Sequence, residues 1–236
     1  MSTKPGGRHL CTHDSAGDGA RLRQFSAALV RWYAEARRDF PWRRSRDPYI
    51  LLVAEVLLKQ TTADQAVSCL PGLLKAYPSP ERLARARVRR LEGILRPLGL
   101  SRQRASQLKA LGGALQAVKG RVEPDELELL PGVGSYTASA VRCFAFGLPV
   151  GVVDTNVTRV LSRAFSIAGS RYEARKSPEF WALADALVGT RPRQARELNW
   201  AMLDLADGVC IPRKPHCGSC PVRDWCDYGR SAIREG

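Results

Sequence analysis

Residues 127–159 read LELLPGVGSYTASAVRCFAFGLPVGVVDTNVTR. A short helix is expected to run into the turn Leu130-Pro131-Gly132-Val133-Gly134, with a second helix starting at Ser135, a residue suited to N-capping. Ala138, Val141, Phe144 and Ala145 then share one apolar face. Glycine at 132 and 134 permits backbone angles that side chains forbid and lets main-chain N–H groups approach a ligand. A turn of free N–H groups opening a helix is an anion site, and a phosphate is its natural guest. The short apolar run 149–153 then ends at Asp154, which is delivered to the start of a helix at 157–165. A phosphate grip followed at a fixed distance by a carboxylate points to chemistry on nucleic acid.

Charge points the same way. The chain carries 37 basic and 23 acidic residues, a net +14, with a pI near 10.0. That balance asks for a polyanionic partner. Only seven of the basic residues are lysine and 30 are arginine, so genomic base composition contributes to the excess. Clustering says more: residues 82–109 hold nine basic residues and one acid, Glu92. The alternatives there are a solvated helix face and phosphate contact, and the neighbouring turn favours contact.

At 236 residues, 44% hydrophobic and 25% charged, the chain is an ordinary globular protein of one or two domains. No apolar run approaches the ~18 residues of a membrane span, and the N-terminus lacks the apolar core of a secretory signal. Residues 1–20 read as a disordered tail, with His9, Cys11 and His13 a chance cluster within it. A cytoplasmic monomer is expected, nucleoid-associated in a prokaryote.

Apolar spacing predicts helices at 21–38, 49–59, 64–77, 81–85, 88–95, 102–118, 178–188 and 194–206. Asp47-Pro48 and Ser79-Pro80 are start signals, and Gly99-Leu100-Ser101 is a tight link. No strand alternation is present, so the fold class is all-α, without an internal repeat. Glu55 stands among Leu51, Leu52, Val53, Val56 and Leu57, where a carboxylate needs a reason.

Cys210, Cys217, Cys220 and Cys226 are spaced C-x6-C-x2-C-x5-C within 17 residues. Pro212, Pro215, Gly218 and Pro221 keep the stretch out of regular structure. Four soft thiolates in one compact loop mean a metal centre, and nothing suggests the secretion that disulfides need. Zinc and an iron–sulfur cube both accept four thiolates, and spacing alone does not choose between them. Cys69 and Cys143 fall on apolar helix faces as small core residues, and Cys11 lies in the tail.

Leu-Pro-Gly-Val-Gly-x-x-Thr-Ala followed by Val-Asp-x-Asn-Val-x-Arg-Val resembles the helix-hairpin-helix base-excision DNA glycosylases, from about Phe40 to Cys226. That superfamily includes endonuclease III, the adenine glycosylase MutY and the mismatch-specific thymine glycosylases. The resemblance implies two helical lobes with the active site in the cleft between them. A six-helix barrel would span 47–148, with the hairpin at about 127–146. A cluster lobe would combine 21–46 with 149–228. The 6-2-5 cysteine pattern in this context is similar to the [4Fe–4S] loop of endonuclease III and MutY, which favours iron–sulfur over zinc. In that loop Arg213, Lys214 and Arg223 suit a DNA-docking role.

Cutting a base from deoxyribose needs an anion for the developing sugar cation, an acid for the leaving base and a means of extruding the nucleotide. Asp154 matches the anion that also positions water, its bland alternative being a simple helix cap. Glu55 matches a glutamate acting on the base or on water, and burial is expected to raise its pKa. Tyr136 departs from endonuclease III, which has a Schiff-base lysine there; no lysine occurs from 121 to 175. AP-lyase activity is therefore disfavoured, and Tyr136 is expected to line the pocket. Gly132, Val133 and Gly134 match the phosphate grip. Gln60 matches the residue filling the gap left by the flipped nucleotide, and Leu100 the wedge beside the orphaned base.

Asp47-Pro48-Tyr49, Glu55, Thr61-Thr62-Ala63 and residues 99–105 look most like the thymine mismatch branch. The ten residues after Cys226 leave no room for the extra C-terminal domain of MutY. The expectation is a monofunctional glycosylase removing thymine or uracil opposite guanine from double-stranded DNA. The alternatives are an adenine glycosylase acting opposite guanine or 8-oxoguanine, an endonuclease III-like enzyme for oxidised pyrimidines, and a DNA-binding protein without catalysis.

Overall fold

The computed structural model describes residues 15–167 and 177–232, so His9, Cys11 and His13 lie outside the described residues. Every regular element among the described residues is helical, which bears out the all-α expectation. Helix α1 spans Ser15–Ala36 and begins inside the stretch expected as tail. The boundary at residue 20 was too late. Asp18 in the first turn favours the positive end of the helix, and Phe25 and Leu29 anchor it in the core.

Helix α2, Pro48–Leu58, starts as the sequence signals: Asp47 Oδ1 accepts from the Tyr49 amide over 2.8 Å, and Pro48 sits in the first turn. It is buried on nearly all sides. Helix α3, Ala63–Ala76, opens on a capping box between Thr62 and Gln65. Then come α4 (Pro80–Ala84), α5 (Val88–Leu95), α6 (Ser101–Ala117) and α7 (Ser135–Phe144). Gly112 lets α6 approach α4: a Cβ there would lie 2.7 Å from the Ala84 nitrogen. Arg104, counted from sequence within the basic run, is instead buried.

The hairpin differs in detail from its reading. Its first arm is a 3-10 helix, Pro124–Leu129. Its second helix is capped by Gly134 rather than Ser135, with no side-chain hydrogen bond. Gly132 has φ +75°, the left-handed region that favours glycine, but Gly134 at φ −102° is extended and needs none. Arg142 holds the arms together, donating to the Pro124 carbonyl (2.9 Å) and the Glu128 carboxylate (3.0 Å).

The remaining helices are α8 (Thr155–Phe165), α9 (Pro178–Gly189), α10 (Ala195–Gly208) and α11 (Asp227–Ser231). The first helix folds back onto them. Arg21 donates to the Trp225 carbonyl (3.0 Å) and to Asp227 (2.8 Å), and Ser26 to the Leu187 carbonyl (3.2 Å). Buried Asp204 of α10 accepts from both terminal guanidinium nitrogens of Arg43, Nη1 and Nη2, at 2.7 Å and from Arg38 Nε at 3.0 Å. Arg43 also lies over the rings of Phe40 and Trp200, at 5.0 and 5.6 Å.

The run 149–153 has no sheet partner, so side chains take the place of a ladder. The Gly151 amide donates to Asp185 (2.7 Å) and the Val152 amide to Asn199 Oδ1 (2.9 Å), while Asn199 Nδ2 donates to the Val150 carbonyl (2.9 Å). A Cβ at Gly151 would lie 2.6 Å from that of Ala184. The segment that delivers Asp154 is thus clamped on α9 and α10.

Candidate active site

One cavity of about 830 Å³ lies where α2, the hairpin and the start of α8 meet. Its walls include Glu55, Lys59, Gln60, Gly134, Tyr136, Asp154 and Asn156. Residues separated by a hundred positions therefore face one space.

Glu55 comes from the buried middle of α2. Burial first of all lifts its pKa to about 8; Lys59 opposes that rise and Asp154 adds to it. At neutral pH the side chain is a neutral acid with a proton to give. Tyr136 is half-buried on the first turn of α7. Burial pushes its phenol well above 10, with Glu55 and Asp154 adding to the effect, so it stays a neutral donor.

Asp154 caps α8. Its Oδ1 accepts from the amides of Asn156 (2.8 Å) and Val157 (2.6 Å), and its Oδ2 from Asn156 Nδ2 (3.1 Å). The cap and the anion are one feature: the helix end that is capped presents positive potential to the carboxylate. Asn156 is in turn held by Arg159, whose Nη1 donates to Asn156 Oδ1 (2.9 Å) and whose Nε donates to the Cys210 carbonyl (2.9 Å). Both residues belong to the Val-Asp-x-Asn-Val-x-Arg-Val motif, which carries the family resemblance but assigns neither a role.

Lys59 caps the end of α2, and its Nζ donates to the Gly132 carbonyl over 2.6 Å, tying the hairpin to the α2 loop. Burial lowers its pKa, opposed by Glu55. Gln60 is exposed at the cavity rim. Leu100 is 53% exposed and lines a separate groove with Ser101, Arg102, Gln103 and Ser106. Of the expected phosphate grip, Gly134 reaches the cavity, Gly132 forms the turn, and Val133 is buried with its amide spent on the Leu130 carbonyl (3.1 Å). Val133 therefore offers no free N–H.

The four loop cysteines are unbridged, and burial first, then the neighbouring loop cysteines, raises the pKa of Cys217, Cys220 and Cys226. They are gathered, soft and unbridged, a donor set that fits an iron–sulfur group. Among the described residues no group of three or more ligating side chains closes to metal-holding geometry. Arg163 braces the loop, donating to Cys210 Sγ (3.3 Å) and to the Ile211 (2.8 Å) and Pro212 (2.6 Å) carbonyls. Cys69 and Cys143 are buried, and Cys143 Sγ accepts from Asn199 (3.3 Å).

Comparison with known proteins gives the same picture. Residues 210–226 match the iron–sulfur binding domain of endonuclease III. The chain is 38% identical to a thymine-DNA glycosylase of Aeropyrum pernix over 89% of its own length and 96% of that protein. It is also 38% identical to an adenine DNA glycosylase of Mycobacterium tuberculosis, over 85% of this chain and 66% of that one. Among solved structures, a thermostable thymine-DNA glycosylase superposes with a TM-score of 0.84 at 33% identity, covering 91% of this chain and 99% of that one. With residues 53–182 matching the family model itself, the chain belongs to the HhH-GPD superfamily of base excision DNA repair proteins.

Proposed function

We propose that this protein is a monofunctional DNA glycosylase that hydrolyses the N-glycosidic bond of thymine or uracil opposite guanine in double-stranded DNA. The observation that carries it is Glu55, Tyr136 and Asp154 around one cavity, with tyrosine and no lysine on the hairpin turn. The flipped base enters the cavity between Glu55 and Tyr136. The bond between C1′ and the base nitrogen breaks, its electron pair leaves with the base, and neutral Glu55 supplies the proton. The Asp154 carboxylate stabilises the sugar cation and orients the water that adds to C1′, and the proton this water loses returns to the Glu55 carboxylate. The hairpin and the +14 charge hold the backbone. Release of free thymine from a G·T duplex tests this reading, and binding without release contradicts it.

A [4Fe–4S] group held by Cys210, Cys217, Cys220 and Cys226 fits the donor set, and it would stiffen the basic loop for docking on phosphates. We further read residues 47–148 as the barrel domain, with the hairpin at 127–146, and 21–46 with 149–228 as the cluster domain. The return of α1 onto α9 and α10 supports that division. No helix among the described residues is long and apolar enough to cross a membrane. The chain acts as a cytoplasmic or nucleoid monomer in this reading. Adenine opposite oxidised guanine is the second reading, favoured by the likeness to adenine glycosylases. Adenine release from that duplex, with G·T left intact, decides for it.

A further inference from the structure

Gln60 and Leu100 stand on separate loops, between α2 and α3 and between α5 and α6. Both are exposed, and both hold left-handed backbone, at φ 54° and 45°. Neither is glycine, so each loop tip keeps a shape that its own residue resists. Something else must fix them.

One buried side chain touches both loops. Arg104, on the first turn of α6, is 3% exposed. Its Nη1 donates to the Leu98 carbonyl over 2.9 Å and to the Gly99 carbonyl, and its Nη2 to the Lys59 carbonyl. Leu98 and Gly99 immediately precede Leu100, and Lys59 immediately precedes Gln60. A guanidinium buried on carbonyls alone is costly, and these are carbonyls that helix ends and turns leave without partners. Its planar fork spans acceptors that a lysine point charge cannot hold at once.

We propose that Arg104 is a positioning residue that locks the Gln60 and Leu100 loops to each other, so that the two side chains enter the duplex as one unit at a fixed spacing. This rests on the reading of Gln60 and Leu100 as the residues that replace the extruded nucleotide. Two wedges on independent loops would each have to be ordered on binding, whereas a locked pair meets the gap already set.

A double-mutant cycle tests this, with single-turnover excision from the mismatch duplex as the readout and thermal melting beside it. Arg104→Met removes the donors and is expected to slow excision by about ten-fold or more, yet by under about two-fold in a Gln60→Ala/Leu100→Ala background, because its effect passes through those residues. The same loss in both backgrounds means a merely structural arginine and overturns the inference. Wild-type excision by the Gln60→Ala/Leu100→Ala protein removes the wedge reading itself, and the inference with it. Arg104→Lys keeps the charge in case the methionine variant does not fold. A duplex rate as fast as wild type with lysine overturns the lock, and a slowed rate confined to the background with intact wedges supports it.

Discussion

Glu55 and Asp154 reach one cavity from two helices, and the Asp154 charge adds to the burial that holds the Glu55 pKa at about 8. One carboxyl is neutral because it sits inside an apolar helix, while the other caps a helix end. Two carboxyls in different environments are how acid and anion roles are divided.

Excision should therefore hold up to about pH 8 and fall roughly ten-fold per pH unit above it, as Glu55 ionises. Glu55→Gln should lose about 10²–10⁴-fold in single-turnover rate and show no such limb. Stability has a worked sign too. Glu55 ionises near 4.5 when unfolded and near 8 when folded. Below pH 4.5 it is protonated in both states. Between those values the unfolded chain ionises first, so its contribution to stability falls with rising pH by about 1.4 kcal/mol per unit. Glu55→Gln should thus gain stability over wild type at pH 8 and not at pH 4, which chemical denaturation at the two pH values checks.

Asp154→Asn separates the cap from the anion. Asparagine caps helices as well as aspartate, so melting should change by less than about 1 kcal/mol. Excision should fall by about 10²–10³-fold with duplex binding retained. Asp154→Ala should add the loss of the cap, about 1 kcal/mol. Unchanged excision by the asparagine variant would reduce Asp154 to a helix cap.

Asp204→Ala should destabilise the protein by about 3–5 kcal/mol, because it leaves the buried Arg43 charge unpaired beneath Phe40 and Trp200. Replacing Asp39, whose partner Arg44 is exposed, should cost far less, because solvent screens that pair. Equal losses in urea unfolding contradict the burial argument.

Iron analysis separates the cysteines. Purified protein should contain about four irons with equal sulfide. Substituting Cys217 or Cys220 with serine should lower both together with duplex binding, whereas Cys143→Ala should keep them. Zinc in place of iron would correct the cofactor and leave the ligand set standing.

Much of this was legible locally. Asp47-Pro48 and Ser79-Pro80 start the helices they signal, and the helix expected at 88–95 is observed as Val88–Leu95. Cap chemistry and apolar spacing act within a few residues, so one segment contains its own answer. The misreadings sit where the deciding partner is remote. Arg104 looked like a surface cation, but the carbonyl of Lys59 takes it inward. Val133 looked like a phosphate donor, but its amide closes the turn. The clamp on 149–153 depends on Asp185 and Asn199, and nothing near Gly151 announces either. Glu55 was visible as an anomaly, a charge in an apolar helix, and its role needed Tyr136 and Asp154 opposite.

The most direct measurement is single-turnover excision on labelled duplexes carrying G·T, G·U, oxidised G·A and thymine glycol, each with and without hot alkali. The expected result is scission of the G·T and G·U strands only after alkali. Scission of the adenine strand with G·T and G·U intact would contradict the pyrimidine assignment. Nicking without alkali would contradict monofunctional hydrolysis and turn attention to Lys59, the one amine on the cavity wall among the described residues.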